Sequence, residues 1–225
     1  MSDLRFWFDP VCPFAWLTSK WVRRVAVLRG TQVSWRFISL RMVNAELDYA
    51  EHFPPEYEEG HTAGLQLLRV AAASRAEHGN DGVGRLYRAL GELTFDRAGG
   101  LAARGLAGTP ALAEQALERA GLPVLLATAT GDETYDLVIR EETDEALHLA
   151  GKDVGTPILQ CSPPDGPAFF GPVISRVPED DEALALWDHV SALAAFPGFA
   201  ELKRSLREPP QLAAFGLDEH EAHES

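Results

Sequence analysis

FDPVCPFAWL, residues 8–17, sets a lone cysteine between a short apolar run and a proline that can open a helix. A Cys-x-x-Cys motif would carry a second sulfur at position 15, where Ala15 stands. Upstream, residues 4–8 are apolar and aromatic and stop at Asp9-Pro10, which reads as a buried strand. Downstream, Leu17, Trp21, Val25 and Leu28 recur at helical spacing from Pro13 to Gly30, and glycine is the usual stop for a helix. Val33, Trp35 and Phe37 then alternate with Ser34 and Arg36, the period of a second strand. Strand, helix, strand is the order of a parallel βαβ unit.

From about residue 54 to 149 the pattern is helical. Helices are expected at 61–77 and 83–95. Another opens at Thr109-Pro110, a cap followed by a first-turn proline, and closes near Gly121. A shorter one follows Pro123, and a long one spans 132–149. Gly99-Gly100 marks a loop within the block. Strand character returns at 158–160 and 168–170, joined by the turn-rich SPPDGP, which predicts an antiparallel hairpin. Helices are expected at 182–195 and 199–207. The acidic end, LDEHEAHES, has too few apolar residues to order itself. A parallel half, a helical insert, then an antiparallel hairpin with helices on both faces is the thioredoxin plan. The expected division is a thioredoxin-like part at 1–40 and 152–212, an all-helical insertion at 41–151, and a disordered acidic tail at 213–225.

The chain has 225 residues and a net charge of −14, which argues against a nucleic-acid or anionic-membrane surface. No apolar run reaches the roughly 20 residues of a membrane-spanning helix. No secretory signal opens the sequence, so a cytoplasmic location is expected. Two cysteines in that compartment are expected to be reduced.

Cys12 sits where the first amides of a helix point outward, a setting that lowers a thiol's pKa. Asp9 opposes that shift if its carboxylate points inward. The alternative is a small buried hydrophobe at a helix start. A Thr156–Pro157 bond opens the next strand; in a thioredoxin plan that loop lies against the helix holding the cysteine. Cys161 lies four residues beyond Pro157, roughly 13 Å along an extended strand, whereas a disulfide needs Cα atoms within roughly 7 Å. It reads as a buried strand residue. The histidines form no metal motif, and no G-x-G-x-x-G or phosphate loop is present, so no metal, flavin or tightly held nucleotide is expected. Trp16, beside the cysteine turn, is a core aromatic or the wall of a groove for an aromatic substrate.

FWFDPVCPFAWLTSKWV at 6–22, KDVGTP at 152–157, AFFGPVISRVP at 168–178 and FAELKRSLREPPQ at 199–211 together resemble the DsbA-like branch of the thioredoxin superfamily. Within it, the likeness is to the actinobacterial mycothiol-dependent nitroreductases. The resemblance implies that Cys12 is the nucleophile within the motif Cys12-Pro13-Phe14-Ala15. It further implies that Pro157 is cis and, with Thr156, meets the substrate or thiol. It implies mycothiol or a similar low-molecular-weight thiol as co-substrate, a small aromatic or disulfide substrate, and a homodimer. The family's fourth motif position is a cysteine, from which Ala15 departs. A monothiol can still form a mixed disulfide that a second thiol resolves. The same branch resembles kappa-class glutathione transferases and 2-hydroxychromene-2-carboxylate isomerases, which bind a thiol cofactor without a second cysteine. Those usually carry serine at the place of Cys12. A non-enzymatic thiol-binding protein is the third reading.

Overall fold

The computed structural model describes residues 3–100, 108–205 and 208–216. Strand β1 (Leu4–Phe8) leads through the cysteine turn into helix α1 (Pro13–Arg29), which returns the chain to β2 (Val33–Phe37). Three helices follow: α2 (Leu40–Val43), α3 (Tyr49–His52) and the long α4 (Glu56–Thr94). Then come α5 (Pro110–Ala120), 3-10 turns at Val124–Gly131 and Glu133–Tyr135, and α6 (Asp136–Ala150). Strands β3 (Ile158–Cys161) and β4 (Ala168–Phe170) complete the sheet before α7 (Asp180–Ala195).

The sheet order is β2-β1-β3-β4. β1 runs parallel to β2, pairing Leu4 with Val33 and Phe8 with Phe37. It runs antiparallel to β3, pairing Leu4 with Cys161 and Trp7 with Ile158, and β3 pairs antiparallel with β4. Alternation along β1 separates two apolar faces. Leu4, Phe6 and Phe8 join the main core with α1, α4 and α5. Trp7 points the other way, into a smaller cluster with Ile38, Ala146 and Ile158. Helices therefore cover both sheet faces, the mixed sheet of a thioredoxin fold. The helical segment between β2 and β3 shares the main core with the sheet.

α4 holds both helices expected at 61–77 and 83–95, joined across a kink. It is one 39-residue span that starts earlier, at Glu56, and bends at Gly79, where φ is 64° and ψ −163°. Only glycine adopts that conformation without strain, so the chain kinks there and then resumes its helix. Gly91 serves differently. A Cβ there would lie 2.2 Å from Trp16 Cε3, so the bare backbone lets α4 lie on the indole face.

α6 begins at Asp136 and not at 132. Asp132 accepts the Thr134 amide at 3.0 Å and holds a 3-10 turn, while Arg69 grips Asp136 through two bonds of 2.7 and 2.8 Å. The expected helix at 199–207 is absent over residues 199–205, and 206–207 lie outside the described residues. Pro197-Gly198 breaks the preceding helix, and Leu202 is 81% exposed, so no apolar face exists to bury. The chain then ties back: Gln211 N–H donates to Ser175 O at 2.7 Å and Ala214 N–H to Phe95 O at 2.9 Å. Residues Ala213–Phe215 form a 3-10 turn, so within the expected 213–225 tail the fold continues to 216, and 217–225 lie outside the described residues. Among the described residues no helix is long and apolar enough to cross a membrane.

Candidate active site

The end of β1 is a tight turn. Cys12 N–H donates to the Asp9 carbonyl at 3.1 Å, and Pro13 starts α1 with no amide to satisfy. Cys12 becomes the helix cap. Its Sγ accepts the Ala15 N–H at 3.4 Å and its thiol donates to the Thr156 carbonyl at 3.5 Å. Thr156 is anchored in turn, its hydroxyl donating to Trp7 O at 3.2 Å. The Thr156–Pro157 peptide bond is cis. Thus Cys12, Ala15, Thr156 and Pro157 come together at one end of the sheet. Val11, Pro13 and Phe14 are half-buried and form the apolar rim, whereas Ala15 is fully enclosed.

The thiol does not take the low pKa that its helix position suggests. Cys12 is only 9% exposed. Burial pushes its thiol up to about 12; the Ala15 amide opposes this, the Asp9 charge adds to it, and the Phe14 amide opposes it. The N-terminal amides do act as expected, but desolvating the sulfur outweighs them. The resting residue is a protonated thiol at neutral pH. Asp9 does point inward and is 0% exposed. Burial raises its carboxyl to about 7 against the pull of the Leu40 and Val11 amides. Tyr87 of α4 stacks on Phe8 at a ring distance of 3.8 Å. Its buried phenol is held far above the ordinary range, chiefly by desolvation, with Cys12 and Asp9 adding to the rise.

Cys161 does not join the site. It pairs with Leu4 at the start of β1, while Cys12 follows that strand's end. Three residues separate it from Ile158, roughly 10 Å of strand. It is half-buried, and desolvation pushes its thiol up to about 11. Trp16 is chiefly a core residue. It is 1% exposed, packs edge-on against Tyr87, and donates its indole N–H to Asp96 at 3.0 Å. A cavity of about 400 Å³ lies along α1, lined by Trp16 together with Lys20, Arg23, Arg24 and Arg88, and Cys12, Thr156 and Pro157 do not line it.

One group was not anticipated. Tyr49, Phe53, Tyr57 and His61 form a ring cluster, with Phe53 and Tyr57 stacked at 5.7 Å and Tyr49 OH bonded to His61 Nδ1 at 3.1 Å. Their four-residue spacing was the available signal. His61 lies one turn before Gly64, the position against which Asp9 and Val11 pack. Among the described residues no group of three or more His, Cys, Asp or Glu side chains could hold a metal ion.

The sequence matches the family described as Rv2466c-like, mycothiol-dependent nitroreductase Rv2466c, over residues 11–204. It is 32% identical over 205 residues to the uncharacterized protein Rv2286c of Mycobacterium tuberculosis, covering 91% of this chain and 82% of that one. The structure is similar to the cytosolic disulfide reductase DsbM from Pseudomonas aeruginosa, with a TM-score of 0.53 at 13% identity over 85% of this chain and 99% of that chain. A probable DsbA oxidoreductase from Streptomyces coelicolor gives 0.52 at 15% identity, over 91% and 94%. A 2-hydroxychromene-2-carboxylate isomerase gives 0.52 at 15%, over 84% and 95%. These structural likenesses establish a DsbA-like thioredoxin fold, and the span of the sequence match goes further: the chain belongs to the Rv2466c-like family of mycothiol-dependent nitroreductases.

Proposed function

We propose that the chain is a single-cysteine thiol oxidoreductase in which Cys12 forms and releases mixed disulfides with a low-molecular-weight thiol such as mycothiol. The observation that carries this reading is the setting of Cys12. Its sulfur caps α1 beside the cis Thr156–Pro157 bond, and neither Ala15 nor Cys161 offers a second sulfur. Attack on a disulfide RS–SR gives Cys12–S–S–R and one free thiol, and a second RSH then restores Cys12 and carries away RS–SR. Two-electron reduction of a nitro group fits the same cycle. Cys12 thiol, one RSH and ArNO₂ give Cys12–S–S–R, ArNO and water. The Tyr49/Phe53/Tyr57/His61 cluster supports an aromatic substrate near the turn. In this reading residues 1–40 and 152–212 carry the reacting sulfur and 41–151 are the insertion that supplies the aromatic wall. The protein works in a reducing cytoplasm as a homodimer.

The test is to incubate the reduced protein with mycothiol disulfide and, in parallel, glutathione disulfide, then map adducts by intact and peptide mass. A mycothiol adduct on Cys12 and none on Cys161 is expected. No adduct on folded, reduced Cys12 contradicts the reading and favours cofactor-thiol activation of the transferase or isomerase kind, which the missing second sulfur would also suit.

A further inference from the structure

The cavity along α1 holds more positive charge than its acids balance. Lys20, Arg23 and Arg24 line it from α1 and Arg88 from α4. Three of these cations already face carboxylates. Lys20 lies 3.0 Å from Asp96, and Arg24 lies 3.4 Å from Asp180. Arg88 lies 3.0 Å from Glu92, which Arg119 also holds at 2.7 Å. Among the described residues no carboxylate comes within ion-pair distance of Arg23, because the two acids that line the cavity, Glu92 and Asp180, are engaged by other arginines.

Arg23 is also held in place. Its Nη2 donates to Gly84 O at 2.9 Å, while its Nε is enclosed and finds no acceptor among the described residues. The guanidinium lies 4.0 Å over the Trp35 ring and 5.7 Å from the Tyr87 ring, so its position is fixed between α4 and the sheet. Burial pushes its pKa down to about 10; Tyr87 opposes this, Arg88 adds to it and Glu92 opposes it. It therefore stays charged at neutral pH. A desolvated cation without a counter-charge is costly, and a planar guanidinium is suited to a carboxylate.

We propose that this cavity binds a small organic monoanion, an apolar body carrying one carboxylate, with Arg23 as its charge partner. A single negative charge matches the one guanidinium that lacks an acid among the described residues. Trp16 and Val27 supply apolar wall, and the methylene stems of Lys20 and Arg24 add to it. The volume of about 400 Å³ falls within the range of small-molecule sites, roughly 300–1,000 Å³, and exceeds what an inorganic anion fills. The site is separate from the cysteine turn, since Arg23 follows Cys12 by roughly 16 Å of helix. The proposal therefore does not rest on the role of Cys12. The alternative is that Arg23 only braces α1 against Trp35 and Gly84, which predicts a loss of stability on substitution and no ligand.

The experiment is an NMR titration of the full chain with 2-naphthoate, the neutral 2-naphthamide and inorganic phosphate, following the Trp16 and Trp35 indole N–H signals. 2-Naphthoate should shift both signals saturably, with a Kd on the order of 1 mM or tighter. The amide and phosphate should each bind about tenfold or more weakly. Arg23→Gln should weaken naphthoate about tenfold or more. Val27 is 83% exposed on the cavity rim, so Val27→Glu should fold normally and weaken naphthoate about threefold by repulsion. Should Arg23→Gln fail to fold, Val27→Glu and the ligand series decide the matter. No saturable shift, equal binding of the amide or of phosphate, or unchanged affinity in the folded variants would overturn the proposal. Shifts confined to the His61 ring signals would place the carboxylate in the aromatic cluster instead and overturn it too.

Discussion

Cys12→Ser should lose mixed-disulfide formation and thiol-dependent turnover by at least roughly a thousandfold while keeping its fold. A serine oxygen cannot form a disulfide, so the covalent cycle has no first step. The same substitution is gentle structurally. Cys12 caps α1 by accepting the Ala15 amide, and serine is among the preferred residues for that place. Serine also fits the buried site and can donate to the Thr156 carbonyl as the thiol does. Its midpoint in chemical denaturation should match the parent within about 1 kcal/mol. Activity in this variant equal to the parent would remove Cys12 as nucleophile. Loss of activity together with loss of fold would instead assign it a structural part.

The largest stability effect is expected at Glu142, on α6. This residue is 5% exposed. It accepts the Phe37 amide at 2.8 Å, Arg75 at 2.7 Å and Arg36 at 3.0 Å. It thus ties α6 to the end of β2 and to α4. Glu142→Ala removes the acid and leaves a buried amide and two guanidinium groups short of acceptors. Breaking a buried charge pair from one side costs about 3–5 kcal/mol. Arg36 keeps Glu145 at 2.7 Å, and the side chains of Arg36 and Arg75 remain 27% and 23% exposed. The lower end, about 3 kcal/mol, therefore applies, or roughly 6–12 °C in Tm for a chain of this size. Thermal and denaturant unfolding would check it. A change under about 1 kcal/mol would show that the arginines relax to water and that the network contributes little.

The first βαβ unit was legible because its boundaries are chemical. Asp9-Pro10 ends β1, Pro13 opens α1 and Gly30, at φ 67°, closes it, so each limit has a residue that enforces it. The β3–β4 hairpin was legible for the same reason, from SPPDGP between two apolar runs. The stretch 199–205 misled because Phe199 and Leu202 mimic helical spacing, but spacing stabilises a helix only where a partner covers the apolar face.

In the site, Cys12 and the loop at Thr156–Pro157 could be paired through the fold plan alone. The burial of Asp9 could not. It depends on Leu40 from α2 and on Gly64 halfway along α4, and neither is marked in the sequence as a neighbour of the turn. The thiol pKa stayed open for a related reason, since a helix start is visible in sequence whereas desolvation is a tertiary property. Trp16 shows the same limit, because its wall is Gly91 from α4.

The central claim is that Cys12 works with one sulfur and depends on a second thiol for release. The most direct measurement is the lifetime of the purified Cys12–mycothiol mixed disulfide, followed by mass with and without added mycothiol. Persistence without thiol, and release of one equivalent of mycothiol disulfide once thiol is added, is the expected result. Spontaneous decay to an internal Cys12–Cys161 disulfide, with mycothiol lost and no thiol added, would contradict it.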